Sequence, residues 1–76
     1  MMNELTSDAI KYIIARVLDN ANDAVKESEE NTNDEFYDGK RLAYYEVLDT
    51  IKNELTVRDQ DLKEFGLDID LENQIA

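Results

Sequence analysis

The sequence has 76 residues, enough for one domain at most, so residues 1–76 are predicted to form a single domain. It contains neither Cys nor His, which excludes disulfide bonds and leaves no plausible zinc site. Its 19 acidic and 8 basic residues give a net charge of -11, which argues against nucleic acid or an anionic membrane as a partner.

The amino-terminal residues, MMNELTSDAI, lack both the basic region and the apolar core of a secretory signal peptide. No apolar run in the chain approaches the roughly 18 residues that span a membrane. The lack of Cys also fits a reducing compartment. We therefore expect a cytoplasmic protein.

The first helix is predicted over about residues 6–30. Thr6 is placed as its N-cap, and Leu5 and Ile10 occupy the two positions of a hydrophobic staple. Apolar residues then recur every three or four positions and form one stripe: Ile10, Ile13, Ile14, Val17, Ala21, Ala24 and Val25. Asn20 lies on the rim of this stripe.

A polar break, KESEENTNDE, follows the first helix and contains no Gly or Pro. Thr32 stands three residues before Glu35, which is the spacing of a capping box, so the second helix is predicted over about residues 33–57. Because the connection is short, we expect the two helices, each about 30 to 36 Å long at 1.5 Å per residue, to pack as an antiparallel hairpin.

The second helix carries a seam of large side chains that is predicted to pack against the first helix: Tyr37, Tyr44, Leu48, Ile51 and Leu55. Beside it lies a strip of smaller side chains that would let another backbone come close: Gly39, Ala43, Val47 and Thr50. We attribute Gly39 to packing rather than to a hinge, although a glycine inside a helix costs about 1 kcal/mol relative to alanine.

The carboxyl-terminal part is less regular. Asp59 is predicted to cap a short helix that continues to Phe65, and Gly66 is placed as its left-handed C-cap. Leu62 and Leu67 stand at the two positions that make contact across such a cap. Residues 67–76 are predicted to form an irregular tail, for which the pattern leaves open an extended segment or a final helical turn.

The run FYDGKRLAYYEVLDTIKNEL, residues 36–55, resembles the second helix of small, acidic, uncharacterised helical-hairpin proteins of Gram-positive bacteria. In those proteins an aromatic-x-x-Gly segment leads into AYYEVLDTI. The resemblance covers about a quarter of the chain. It implies a helical fold and a bacterial origin, and it assigns no activity, cofactor or catalytic residue.

We expect no catalytic, cofactor-binding or metal-binding residues. Without Cys or His the sequence lacks a thiol nucleophile and an imidazole base, and its Ser residues lie near a predicted helix start or in polar helix-end surroundings. The calcium-loop pattern also fails. With Gly39 at its sixth position, Phe36 takes the third and Tyr45 the twelfth, where oxygen ligands are required.

Aromatic and basic residues at the start of the second helix are the best candidates for recognition, although aromatic residues on a helix seam more often belong to the core. Arg41 is placed to stack on a tyrosine ring. Tyr12 and Leu42 point away from the two apolar faces, so their burial would indicate a second contact surface. The candidate interaction surface is therefore Tyr12, Phe36, Tyr37, Arg41, Leu42 and Tyr45.

Taken together, the sequence predicts an all-α hairpin with a short carboxyl-terminal helix, which dimerises into a four-helix bundle because a two-helix layer has little core of its own. The predicted function is a non-enzymatic interaction module that binds a second copy of itself. The alternative is an acidic, nucleic-acid-mimicking or immunity-type inhibitor that occupies a basic site on a partner. Evenly spaced Lys and Arg residues, which interrupt the acidic surface, argue against this alternative.

Overall fold

The computed structural model describes residues 6–76, and within that range the chain forms four helical elements and no strand. Helix α1 is Ser7–Glu30, and helix α2 is Glu35–Val57. A 3-10 helix follows at Leu62–Phe65, and α3 is a single turn at Leu71–Gln74. The predicted all-α class is therefore confirmed.

The start of α1 agrees with the sequence pattern. Thr6 is the N-cap, and its Oγ1 accepts a hydrogen bond from the Ala9 N–H at 3.0 Å. This bond satisfies one of the backbone donors that the first turn of a helix leaves free. The predicted staple between Leu5 and Ile10 includes a residue outside the described range.

Helix α2 begins later than predicted, and the prediction that Thr32 caps it is wrong. Its N-cap is Asp34, whose carboxylate accepts from the Phe36 N–H at 3.0 Å. Asn33 has a φ of 69°, in the left-handed region, which a right-handed helix cannot include. Asn tolerates this conformation better than most residues, so the turn is placed there rather than within the helix.

The short helix after α2 also begins later than predicted. Asp59, expected as its N-cap, has a φ of 56° and instead ends α2. The Gln60 N–H reaches back to the Leu55 carbonyl at 2.9 Å, as in a Schellman motif. Asp61 is the actual N-cap of the 3-10 helix and accepts a backbone N–H at 3.0 Å.

Gly66 ends the 3-10 helix as predicted, with a φ of 73°. The Leu67 N–H donates to the Leu62 carbonyl at 2.9 Å, which completes the same type of cap. A Cβ at position 66 would lie 3.9 Å from Leu18 Cδ1, an ordinary contact. The backbone angle, and not the available space, is therefore what requires glycine.

Replacing each glycine by alanine is expected to change the free energy of unfolding in opposite directions. Gly66→Ala should lower it by about 1 kcal/mol, because a left-handed conformation is unfavourable for an L-residue. Gly39→Ala should raise it by about 1 kcal/mol, since Gly39 lies inside α2 and a Cβ there would meet no atom within 4 Å. Urea unfolding of both variants measures the effect, and changes of the same sign would contradict it. The open space at this position, within the described chain, gives no support to the packing interpretation of Gly39.

The last ten residues fold back onto the hairpin. Asp70 caps α3 by accepting the backbone N–H groups of Glu72 and Asn73 at 3.1 and 3.3 Å. Irregular backbone at 67–70 leads into this turn, so of the two conformations that the sequence left open the structure shows the final helical turn.

One buried cluster joins the hairpin to the C-terminal segment, which we define as residues 61–76. Its members are Ile14, Ala21, Leu48, Phe65, Leu67, Leu71 and Ile75. Tyr44, Ile51 and Leu55 of the predicted seam pack against this cluster. Ile13, predicted to belong to the buried stripe, is 49% exposed. The C-terminal segment therefore supplies core that the sequence pattern assigned to a second copy.

Candidate interaction surface

The structure divides the six predicted surface residues into two groups. Three are exposed, with exposed fractions of 75%, 68% and 45%: Tyr12, Phe36 and Leu42. Three are half-buried: Tyr37, Arg41 and Tyr45. Since Tyr12 and Leu42 are both exposed, the burial that would have indicated a second contact surface is not observed.

Arg41 holds the end of the chain rather than presenting its charge outward. Its Nη1 donates to the Ile75 carbonyl at 3.2 Å, and its Nη2 lies 4.0 Å from the Asp38 carboxylate. Its Nε is buried without a hydrogen-bond partner. Among the described residues the predicted stacking of Arg41 on a tyrosine is not found, because the guanidinium is directed at the carbonyl.

Lys52 makes a second attachment three turns further along α2. Its Nζ donates to the Ile69 carbonyl at 2.7 Å. Tyr45 lies between Arg41 and Lys52 on the same flank of the helix and packs against the core. Desolvation raises the pKa of the Tyr45 hydroxyl above its ordinary value of 10.0, with smaller contributions from nearby carboxylates that include Glu72. These three residues mark the flank of α2 that the C-terminal segment covers.

Lys11 and Leu18 mark the covered flank of α1. The Lys11 ammonium lies 5.7 Å from the centroid of the Phe65 ring, within the range of a cation–π contact, and 3.9 Å from the Glu64 carboxylate. Leu18 adjoins Gly66. The C-terminal segment therefore packs across one side of the hairpin and contacts both helices on that side.

Within residues 6–76, the opposite side of the hairpin is left partly exposed. At about 100° per residue, Ile13 lies roughly 160° around α1 from Lys11, and Val47 lies roughly 140° around α2 from Lys52. Ile13 and Val47 are each 49% exposed. We call this side the uncovered face and define it by six residues: Ile13, Val17, Asn20, Ala43, Val47 and Ile51. Of these, Val17 and Ile51 are half-buried because they also pack against the core cluster.

Ion pairs flank the uncovered face at both of its ends. Near the connection between the helices, Lys40 Nζ donates to Glu27 Oε1 at 2.8 Å. This hydrogen bond and the attraction to the carboxylate raise the pKa of Lys40 above its ordinary value of 10.5, although desolvation opposes the shift. At the other end, Arg58 pairs with Glu54, one turn earlier in α2. The six residues between these pairs carry no charge.

The uncovered face differs from the candidate surface inferred from the sequence, and it shares no residue with it. The strip of small residues on α2 already contained Ala43 and Val47, which was a usable signal. Ile13 was missed because the apolar periodicity of α1 does not say which part of a broad stripe the neighbouring elements will cover. The packing of the C-terminal segment decides that point.

No pocket is found within residues 6–76, nor is there any group of three or more acidic side chains there that could hold a metal ion. In the same range, no helix combines the length and apolar character needed to cross a membrane. Compared with protein-family models, curated proteins and solved structures, the chain matches none of them significantly.

Proposed function

We propose that the protein is a non-enzymatic, acidic protein–protein interaction module that works as a homodimer. The observation that carries this proposal is the uncovered face, on which Ile13 and Val47 are each about half exposed. A helical hairpin with one open apolar face is a natural half of a four-helix bundle, because two such faces bury each other. Two copies packed in this way bring four long helices together.

Composition supports the rest of the proposal. A net charge of -11 repels nucleic-acid phosphates and anionic lipids, so neither is a proposed partner. A chain without Cys or His lacks thiol nucleophiles and imidazole bases, which favours a binding role over catalysis. A reducing cytoplasm suits such a chain, and the resemblance of residues 36–55 to proteins of Gram-positive bacteria favours a bacterial source.

The proposal is tested by measuring the mass of the full chain in solution over a range of concentrations. We expect sedimentation equilibrium to give twice the mass of one chain in the micromolar range. A monomer up to high micromolar concentration would contradict the homodimer. The alternative, an acidic inhibitor of a basic partner, predicts instead a complex with another protein that dissociates steeply as salt is added.

A further inference from the structure

We infer that two copies of this chain can exchange their C-terminal segments, so that residues 61–76 of each chain pack on the hairpin of the other. The site is the side of the hairpin that this segment covers, which we call the covered side and define by five residues: Lys11, Leu18, Arg41, Tyr45 and Lys52. The inference goes beyond the proposed function, because it concerns a different surface from the uncovered face and does not depend on it.

The covered side holds the segment as it would hold a bound peptide. Four apolar side chains of the segment are buried: Phe65, Leu67, Leu71 and Ile75. Arg41 donates to the Ile75 carbonyl at 3.2 Å, and Lys52 donates to the Ile69 carbonyl at 2.7 Å. The segment carries five acidic residues and one basic residue, and it lies against three cations of the hairpin. Charge and buried surface therefore identify this segment as the occupant of the covered side, whichever copy supplies it.

An exchanged pair keeps all of these contacts. The segment and the hairpin have the same sequence in both copies, so the buried side chains and the hydrogen bonds are the same within one chain or between two. The monomer and the exchanged dimer then differ in free energy through the connection between hairpin and segment and through the cost of bringing two copies together. That cost includes the repulsion between two chains of net charge -11.

The connection is a short hinge, which we define as residues 58–61. All four residues are exposed, so a change in their conformation uncovers no buried side chain. Asp59 has a φ of 56°, a left-handed conformation that is unfavourable for a residue with a side chain. The hinge contains neither Gly nor Pro, so it can also continue α2 as a helix, in which helical hydrogen bonds replace those of the cap. Opening the hinge relieves the strain at Asp59, and short strained hinges favour exchange.

A cross-link between two chains detects the exchange. Gln74 of α3 donates to Asn22 of α1 at 3.4 Å, and both side chains are exposed. Since the chain contains no Cys, Asn22→Cys in one copy and Gln74→Cys in another, refolded together from urea, can be joined by a short bismaleimide. Asn22 lies roughly 20° around α1 from Lys11, so docking through the uncovered face leaves positions 22 and 74 on the outer sides of the pair. A single chain with both substitutions is the control for reach.

Substitutions at position 59 change the strain in the hinge, and an exchanged dimer opens two hinges. We expect Asp59→Val to raise the association constant of the cross-linkable dimer by roughly 10- to 100-fold, because a β-branched residue fits the left-handed conformation poorly. Asp59→Gly should lower it by roughly three- to tenfold, because glycine adopts this conformation without strain.

The matched control is Asn33→Val. Asn33 also has a left-handed φ, 69°, but it lies in the connection between α1 and α2, which exchange leaves unchanged. We expect this change to lower the stability of the monomer and the exchanged dimer alike, and to leave the association constant within about threefold of the wild type. Circular dichroism checks that each variant keeps its helices.

The outcomes separate this inference from the proposed function. No 22–74 cross-link between Asp59→Val chains at high micromolar concentration would overturn exchange, and so would equal yields from Asp59→Val and Asp59→Gly. If Asp59→Val does not fold, the unchanged hinge compared with Asp59→Gly decides in the same way. A dimer that forms without this cross-link overturns exchange and leaves the proposed function in place. A chain that associates only through this cross-linkable form supports exchange and contradicts docking through the uncovered face.

Discussion

Leu48→Asp is expected to unfold the protein. Leu48 has no exposed surface and lies in the cluster that joins both long helices to the C-terminal segment. Truncating a buried leucine costs about 2–5 kcal/mol, and an unpaired buried carboxylate adds several more. A domain of this size has a total stability of only about 4–11 kcal/mol, so the two costs together approach or exceed it. Far-UV circular dichroism should show loss of most of the helix signal.

The control for this change is Leu42→Asp, the same substitution on the same helix at a position that is 45% exposed. We expect it to shift the unfolding free energy by no more than about 1 kcal/mol, as for most surface changes. Leu48→Ala should give an intermediate result, a folded protein that is less stable by about 2–5 kcal/mol. Native-like helix content and cooperative melting of Leu48→Asp would show that the buried cluster is not the basis of stability.

Removing residues 67–76 is expected to abolish cooperative folding. The deletion takes away three buried side chains, Leu67, Leu71 and Ile75, whose exposed fractions are 0%, 4% and 1%. Each is worth about 2–5 kcal/mol when truncated to alanine, so their summed loss is comparable with the whole stability of the domain. It also removes the carbonyls that bind Arg41 and Lys52. Thermal melting followed by circular dichroism should show a broad, non-cooperative transition.

Two full-length variants separate the loss of buried surface from the loss of chain. Ile75→Ala keeps the whole backbone and should lower the unfolding free energy by about 2–5 kcal/mol, because Ile75 is buried. Gln74→Ala changes an exposed neighbour in α3 and should have little effect. If the truncated protein melts as sharply as the intact chain, the C-terminal segment is an accessory and the hairpin is stable alone.

These two predictions concern the same feature, a second layer that the hairpin acquires from its own chain. A two-helix layer buries apolar residues on one side only, and a chain with neither Cys nor His lacks disulfide and zinc staples. The C-terminal segment gives the hairpin a core without another copy. The dimer is therefore proposed on the uncovered face and not as a requirement for folding.

Much of the local structure was predictable because the signals lie within one or two helical turns. The extent of α1 and its cap at Thr6 followed from a side chain and an amide three residues apart. The left-handed cap at Gly66 followed from the one residue type that adopts this conformation without strain. The start of α2 was misplaced because Thr32 and Asp34 are both good caps, and the left-handed turn at Asn33 decides between them.

The contacts that shape the surface were not predictable in this way. Arg41 binds a carbonyl 34 residues away and Lys52 one that is 17 residues away, and nothing local to either residue specifies its partner. The position of Arg41 on α2 suggested stacking on a tyrosine ring, and the sequence assigned no partner to Lys52. Which flank of the hairpin is covered, and hence which apolar residues stay exposed, depends on where these attachments hold the C-terminal segment.

The sequence by itself thus determined the two long helices and the short helix after them, most of their ends and the residues able to form a core, because helical periodicity and capping act over three or four neighbouring positions. Only the tertiary structure decided that residues 67–76 complete that core and that Ile13 and Val47 remain half exposed. The reason is physical. An apolar stripe broad enough to face two neighbours does not encode which of them will cover it, and that choice is made by the fit of segments distant in the chain.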